Sequence, residues 1–249
     1  MQQALDSQCF EMALQPKMDL KTNSVIAAEA LVRWRLEDGT YLPPSSFVDI
    51  FEKNRFCSKL DFYMLKKAIQ QIRKWIDMGM NPVNISVNQS KIVFYHENYI
   101  SEIKSLLEEY NVSGSYITLE VLESTVIEDI DMFNSILTEV KKLGFSVSLD
   151  DFGSGYSSLN VLSKLQIDEL KIDRIFLHTK SEVDNQRTKW ILESIIDIAK
   201  KSQILVVVEG VESKQDDLFI KNLGADIGQG YFYGRPLSIS AFNDLIETK

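Results

Sequence analysis

The stretch ILVVVE, residues 204–209, indicates the fold more clearly than any other part of the chain. Five consecutive aliphatic residues are typical of a strand that is buried on both faces, as strands of parallel sheets are. Helical patterns flank this stretch at about 184–201 and about 213–222. The sequence therefore predicts a buried strand between two helices, with Glu209 directly after the strand.

The same alternation of short apolar runs and helical patterns extends along the rest of the chain. Further helices are predicted at about 59–78, 97–110, 128–142, 157–164 and 238–247, and an extra strand at about 10–15. Alternating strands and helices favour a parallel sheet, and eight such units in 249 residues have the size of a (β/α)8 barrel. The alternative is a doubly wound open sheet, but the chain lacks a G-x-G-x-x-G turn between its first strand and helix.

The composition is that of a globular protein with a surplus of acid. Hydrophobic residues make up 45% and charged residues 25%, which argues against disorder. The formal net charge of −9 argues against binding to a nucleic-acid polymer, which requires a basic surface. No apolar run approaches the roughly 20 residues of a membrane span, so we expect no membrane contact by this segment. Two cysteines without metal spacing, Cys9 and Cys57, indicate a reducing and hence cytoplasmic compartment.

Seven predicted strands end on a polar side chain. Because the carboxyl ends of barrel strands converge on one face, where barrel active sites lie, these side chains should form a ring. The seven residues are Glu29, Asn88, Glu120, Asp150, Lys171, Glu209 and Gln229. A single one would be unremarkable as a solvated loop residue, but unrelated loop residues need not all follow a buried strand directly. Asn88 is preferred to Asn84 because Asn88 lies at the carboxyl end of its strand.

The acidic side chains of this ring predict a metal site. Crowded carboxylates resist ionisation unless cations neutralise them. The carboxylates are Glu29, Glu120, Asp150, Asp151 and Glu209. Oxygen ligands suit hard ions such as Mg²⁺ or Mn²⁺, and two such ions that share a carboxylate are a common device for phosphodiester hydrolysis.

Short motifs across nearly the whole chain resemble those of EAL domains, which are cyclic di-GMP phosphodiesterases. The eponymous triplet is Glu29-Ala30-Leu31, within AEALVRW. The supporting motifs are LQP at 14–16, SVNQS at 86–90, LEVLES at 119–124, DDFGSGYSSL at 150–159, LKID at 170–173, VEGVE at 208–212 and GQGYFYGRP at 228–236. The resemblance implies a modified TIM (β/α)8 barrel with an antiparallel first strand. It also implies a single EAL domain at 1–249, either as a stand-alone enzyme or as part of a larger signalling protein.

The resemblance further implies roles for individual residues. One metal ion would be bound by Glu29, Asn88, Glu120 and Asp150, and the second by Asp150, Asp151 and Glu209. Lys171 would hold the catalytic water, and the catalytic residues are predicted to be Lys171, Glu209 and Glu29. Whether Glu209 is also a general base stays open. Substrate contacts or bracing of the site are implied for Gln15, Leu31, Arg33, Asp173, Glu212, Gln229 and Pro236, and Glu123 would anchor the loop after Asp151.

The activity implied by the resemblance is hydrolysis of cyclic di-GMP to linear pGpG, with two Mg²⁺ or Mn²⁺ ions per site and Ca²⁺ as an inhibitor. The implied partners are cyclic di-GMP, a second copy of the chain, and sensor or GGDEF domains upstream. Two alternatives remain. A family member without hydrolysis would serve as a cyclic di-GMP receptor or interaction module, and a barrel phosphodiesterase or lyase would act on another substrate.

Histidines and tryptophans carry less information. Two histidines, His96 and His178, are too few for a His-rich zinc site, and we expect both to be ordinary surface or loop residues. Trp75 and Trp190 lie on predicted helix faces and are expected to belong to the core.

Overall fold

The computed structural model describes residues 1–123, 130–153, 159–177 and 182–247. Its strands are β1 (Phe10–Asp19), β2 (Ser24–Arg35), β3 (Tyr41–Leu42), β4 (Asn84–Gln89), β5 (Ile117–Leu122), β6 (Ser146–Phe152), β7 (Glu169–Ile172), β8 (Leu205–Val208) and β9 (Ile227–Gln229). Its helices are α1 (Gln2–Asp6), α2 (Val48–Lys53), α3 (Cys57–Asp77), α4 (Lys91–Phe94), α5 (Tyr99–Tyr110), α6 (Ile130–Lys142), α7 (Leu159–Lys164), α8 (Glu182–Lys201), α9 (Lys214–Leu223) and α10 (Ile239–Glu247). His178 and residues 154–156 of the loop after Asp151 lie outside the described ranges.

Eight strands close into a barrel because β1 pairs with both β2 and β9. Both pairings of β1 are antiparallel, while the pairings from β2 through β4 to β9 are parallel. The short strand β3 extends β2 as an antiparallel addition. The predicted modified (β/α)8 barrel with an antiparallel first strand is therefore confirmed. The open-sheet alternative is wrong, since an open sheet would not join its first and last strands.

The core lies between the barrel and the surrounding helices. Helix α3 shows how the sequence produces it, because Leu60, Met64, Ala68 and Ile72 recur at intervals of four and are all buried. Trp75 continues this face, is fully buried, and donates its indole N–H to Asn243 Oδ1 at 2.7 Å. The prediction that Trp75 belongs to the core is confirmed. None of the helices in the described ranges is long and apolar enough to cross a membrane.

The prediction that Trp190 belongs to the core is wrong, because 59% of this residue is exposed. The buried face of α8 consists of Leu192, Ile195, Ile196 and Ala199. These residues have the i, i+3, i+4, i+7 spacing of one helix face, and Trp190 lies off that face. Apolar residues occur around much of α8, so hydrophobicity alone did not identify the buried face.

Candidate active site

The polar side chains predicted to form a ring converge inside the barrel near its carboxyl-terminal mouth. Most lie within their strands rather than after them: Glu120 and Asp150 each precede the last strand residue by two positions, and only Glu209 directly follows its strand. Successive strand residues alternate between the barrel interior and the helices. Glu29, Glu120, Asp150 and Lys171 are accordingly buried instead of belonging to solvated loops.

Lys171 lies at the centre of these carboxylates. Its Nζ atom lies 2.8 Å from Glu209 Oε1, 2.9 Å from Glu120 Oε2, 3.0 Å from Asp150 Oδ1 and 3.5 Å from Glu29 Oε2. These five residues are called the Lys171 cluster below. Burial opposes the charge on Lys171, but the four carboxylates outweigh burial and hold its pKa well above the usual value. Lys171 therefore stays positively charged at neutral pH and acts as a hydrogen-bond donor, not as a base.

A second buried lysine, Lys17, lies deeper in the barrel. Its Nζ atom donates to Ser86 Oγ at 2.7 Å, to Glu120 Oε1 at 2.8 Å and to Glu169 Oε1 at 3.0 Å. These four residues are called the Lys17 cluster, and Glu120 belongs to both clusters. Burial opposes the charge on Lys17, but the carboxylates of Glu120 and Glu169 outweigh it and raise the Lys17 pKa.

Lys17, Ser86 and Glu169 were not among the predicted site residues. A signal was present, because each lies two positions from a predicted site residue: Gln15, a predicted substrate contact, and Asn88 and Lys171 of the predicted ring, respectively. Residues two apart in a strand face the same side of the sheet. Polar side chains repeated at this interval indicate that the barrel interior is polar for more than one layer.

The carboxyl groups of the two clusters differ in their pKa values. Burial by itself would raise the pKa of Glu120, but Lys17 and Lys171 outweigh burial and lower it to about 2. Burial raises the pKa of Glu209 to about 8, against the attraction of Lys171. Burial also raises the pKa values of Glu29 and Asp150. Negative charge is therefore firmly held at Glu120 and only weakly held at Glu209.

A bulge brings the adjacent residues Asp150 and Asp151 to the same site. In a regular strand two adjacent side chains face opposite sides. The pairing of β6 with β7 shifts register between Leu149 and Phe152, and Asp151 has a φ of 58°, in the left-handed region. As a result, carboxylate oxygens of Asp150, Asp151 and Glu209 all lie within 4.8 Å of one another. Left-handed backbone at a non-glycine residue costs energy and is concentrated at functional sites.

The donor set and its charge fit a pair of divalent cations. The carboxylates of the two clusters and Asp151 are Glu29, Glu120, Asp150, Asp151, Glu169 and Glu209. When ionised, these six groups exceed the two ammonium groups by a formal charge of −4, which two divalent cations would neutralise. Donors that are all oxygen suit Mg²⁺ or Mn²⁺.

Two side-chain amides orient Glu29. Asn88 Nδ2 donates to Glu29 Oε1 at 3.0 Å, and Gln229 Nε2 donates to Glu29 Oε2 at 2.6 Å. Gln15 lies beside Gln229 and donates to the Gly234 carbonyl at 3.2 Å. Gln229 Oε1 is buried and has no hydrogen-bond partner among the described residues. This atom is free to accept a hydrogen bond from a ligand at the mouth.

The predicted substrate contacts lie in three cavities. A cavity of about 240 Å³ at the mouth is lined by Gln15, Asp173, Glu212 and Gln229 together with Glu29 and Glu209. Leu31 and Asn88 line a second cavity of about 270 Å³, and Arg33 and Pro236 line a third of about 710 Å³. Glu123 is buried directly after β5, and its role as a loop anchor stays a prediction.

Comparison with known proteins gives matches over nearly the whole chain. Residues 1–236 match the EAL domain. The chain is 33% identical over 246 residues to cyclic di-GMP phosphodiesterase NbdA of Pseudomonas aeruginosa, which covers 99% of this chain and 31% of NbdA. It is 30% identical over 243 residues to cyclic di-GMP phosphodiesterase PdeR of Escherichia coli, which covers 97% of this chain and 36% of PdeR. The chain thus spans about a third of the length of these curated relatives.

The tertiary structure is similar to that of a solved phosphodiesterase. The PaMucR phosphodiesterase in complex with c-di-GMP superposes with a TM-score of 0.88 and 32% sequence identity, over 97% of each chain. The antiparallel first strand, the carboxylates at the barrel mouth and the match over residues 1–236 lead to one conclusion. This chain belongs to the EAL domain family.

Proposed function

We propose that this chain hydrolyses one phosphodiester bond of cyclic di-GMP and releases linear pGpG. The observation that carries the proposal is the triad of Asp150, Asp151 and Glu209, whose carboxylate oxygens lie within 4.8 Å of one another at the mouth of the barrel. The names of the relatives NbdA and PdeR, both cyclic di-GMP phosphodiesterases, support this substrate.

The proposed cofactor is a pair of Mg²⁺ or Mn²⁺ ions. When bound, such a pair supplies a water of lowered pKa and stabilises the charge that develops on the phosphate. Asp150, Asp151 and Glu209 would hold one ion, and Glu29, Asn88, Glu120 and Asp150 the other. Ca²⁺ would be inhibitory, because it prefers longer bonds and more ligands than Mg²⁺.

Lys171 would provide a fixed positive charge beside the reacting phosphate. Its Nζ atom lies 2.8 Å from Glu209 Oε1 and 3.0 Å from Asp150 Oδ1, so it orients two carboxylates of the triad. Because its pKa is held well above the usual value, Lys171 can donate a hydrogen bond to water or to a phosphoryl oxygen. Burial raises the pKa of Glu209 to about 8, so without a metal ion this carboxyl group holds a proton at neutral pH, and an ion bound to it would displace that proton.

The substrate would span the mouth of the barrel. Arg33 lines the cavity of about 710 Å³ and offers a guanidinium fork that suits two phosphate oxygens. Gln229 Oε1 offers a buried acceptor that the described residues leave unpaired. We assign Gln15, Leu31, Asp173, Glu212 and Pro236 to substrate contact or to bracing of the site on the family resemblance.

The chain would work as a homodimer and within a larger cytoplasmic signalling protein that carries sensor or GGDEF domains upstream. The relatives NbdA and PdeR, of which this chain covers 31% and 36%, support a larger protein. Size-exclusion chromatography with light scattering tests the dimer directly, and a monomer at micromolar concentration would contradict it.

Chromatography of the products tests the proposed activity. The chain is incubated with cyclic di-GMP in Mg²⁺, in Mn²⁺, in Ca²⁺ or in a chelator. We expect pGpG with Mg²⁺ or Mn²⁺, and no product with Ca²⁺ or chelator. If cyclic di-GMP binds but is not hydrolysed in the presence of any of these ions, the result would support the receptor alternative instead. If other cyclic dinucleotides compete with cyclic di-GMP for binding to the chain, the substrate is a different one.

A further inference from the structure

The cavity of about 710 Å³ extends away from the ring of carboxylates. It lies between β1, α3 and the start of α10, and no residue of the Lys171 cluster lines it. Its cationic lining residues are Arg33, Arg35, Lys67 and Lys74. Such a concentration of positive charge contrasts with the net charge of −9 for the whole chain.

Much of this positive charge is not neutralised by the protein. Glu11 is the acidic residue among the described residues that line the cavity, and its carboxylate lies 2.6 Å from Arg35 Nε. Within the described ranges no carboxylate lies at ion-pair distance from Lys67 or Lys74. Burial, and then the nearby ammonium group of Lys74, lower the pKa of Lys67. Cations that line a concave surface without paired carboxylates attract an anionic ligand.

A buried amide lines the same cavity. Gln71 of α3 is 5% exposed and its side chain makes no hydrogen bond to any residue in the described part of the chain, but its amide atoms are not among the fully buried unpaired ones, so they are open to the cavity. The Gln71 side chain offers both a donor and an acceptor to whatever occupies the cavity.

We propose that this cavity binds a nucleoside monophosphate at a site separate from the Lys171 cluster. Lys67 and Lys74 would hold the phosphate group, and the Gln71 amide would pair with the nucleoside. The volume of about 710 Å³ lies within the usual range of small-ligand sites. Tyr41 adds an aromatic ring to the lining, and such rings stack on nucleobases.

This nucleotide site does not depend on hydrolysis of cyclic di-GMP. Arg33 and Pro236 line the cavity and are also predicted substrate contacts, so a nucleotide bound there would lie beside the substrate. Binding is therefore measured in a chelator and without cyclic di-GMP, where no turnover is involved. A failure of the proposed hydrolysis would leave this measurement unaffected.

Calorimetric titration of the full chain with GMP, and separately with inorganic phosphate, tests the proposal. We expect the double variant Lys67→Gln/Lys74→Gln to bind GMP about a hundredfold more weakly, the effect of losing two charge-assisted hydrogen bonds at about tenfold each. The matched control is Lys104→Gln/Lys142→Gln, which removes two exposed lysines that lie outside the cavity lining. Its affinity for GMP should change less than twofold, because distant exposed charges are screened by salt.

Two further variants distinguish the parts of the proposal. Gln71→Leu should weaken binding of GMP but leave binding of inorganic phosphate unchanged, since the lysines hold the phosphate. Glu209→Gln should change neither affinity. The proposal is overturned if GMP does not bind, if the Lys67→Gln/Lys74→Gln variant binds it as well as the parent chain, or if Glu209→Gln weakens it equally. Unchanged GMP binding in Gln71→Leu would overturn the nucleoside contact.

Discussion

The Lys17 cluster and the Lys171 cluster each surround a buried lysine with carboxylates but differ in charge balance. Lys17 donates to two carboxylates and one hydroxyl, so each of its three protons has a partner. Lys171 lies among four carboxylates, with Asp151 nearby as a fifth. One cluster is nearly neutralised by its own residues, and the other has an excess of negative charge.

The pKa values show the consequence of this difference. Glu120, which contacts both lysines, has a pKa of about 2, whereas Glu209, which contacts only Lys171, has a pKa of about 8. A buried lysine is therefore a structural element where carboxylates are matched to it. Where the negative charge of the carboxylates exceeds the positive charge of the lysine, the remaining negative charge attracts protons and cations.

The largest expected effect comes from the Lys171 cluster. We expect Lys171→Ala, Asp150→Asn or Glu29→Ala to lower turnover of cyclic di-GMP on the order of 10²–10⁴-fold, because each removes a charged group at the reacting phosphate. The measurement is pGpG formation at saturating substrate, with circular dichroism to verify folding. Lys142→Ala, which removes an exposed lysine, is the matched control. Full activity in any of the three variants would contradict the assignment of that residue.

The Lys17 cluster should show its largest effect on stability. Lys17→Met leaves Glu120 with one lysine and Glu169 without its buried partner, so we expect a loss of about 3–5 kcal/mol in the free energy of unfolding. Urea denaturation measures this loss. Adding Glu169→Gln to Lys17→Met should recover part of it, since the unpaired charge is removed. A loss below about 1 kcal/mol in Lys17→Met would show that the cluster is not a structural element.

The acid excess of the Lys171 cluster should make stability depend on pH. The pKa of Glu209 is about 8 in the folded chain and near 4.5 when unperturbed, so the folded state holds the extra proton between these values. In a chelator, stability should therefore fall as pH rises from about 4.5 to about 8. Thermal melts measure the decline, and Glu209→Gln should make it shallower.

Binding of divalent ions provides a second test of the excess negative charge in the Lys171 cluster. Mg²⁺ must compete with protons for these carboxylates, so the rise in melting temperature on adding Mg²⁺ should be larger above pH 8 than near pH 6. The Lys17→Met variant should still show a rise, because the triad of Asp150, Asp151 and Glu209 remains. A rise that is equal at both pH values would contradict the weakly held charge at Glu209.

The smallest effect distinguishes two buried serines. Ser86 Oγ lies 2.7 Å from Lys17 Nζ, whereas Ser148 Oγ is buried without a hydrogen-bond partner in the described ranges. Ser86→Ala should therefore cost about 1–3 kcal/mol, because it leaves one ammonium proton of Lys17 unpaired. Ser148→Ala should stay within about 0.5 kcal/mol of the parent chain. Equal losses would show that the contact with Lys17 does not determine the stability of this layer.

Much of the site was predictable because the carboxyl ends of parallel barrel strands all lie on one face of the barrel. Once β/α alternation is recognised, side chains such as Glu29 and Glu209 must meet, since parallel barrel strands end on one face. The choice of Asn88 over Asn84 followed from the same rule, and Asn88 contacts Glu29 at 3.0 Å. The exposed Trp190 was not predictable, because α8 carries apolar residues on more than one face.

Local conformation at the site also escaped prediction. Asp150 and Asp151 are adjacent, and simple alternation would send one of them away from the other. Only the bulge in β6 and the left-handed φ of Asp151 bring both to Glu209. No residue pattern in the sequence specifies such a backbone distortion.

The sequence by itself determined the order of strands and helices and the chemistry carried to the barrel mouth, because both depend on residue types at short, regular intervals. The tertiary structure alone decided which carboxylates each lysine neutralises. Lys17 and Glu120 are 103 positions apart, and Lys171 and Glu29 are 142 positions apart. Such contacts depend on how the closed barrel staggers its strands, and the charge balance that separates the two clusters arises only after that closure.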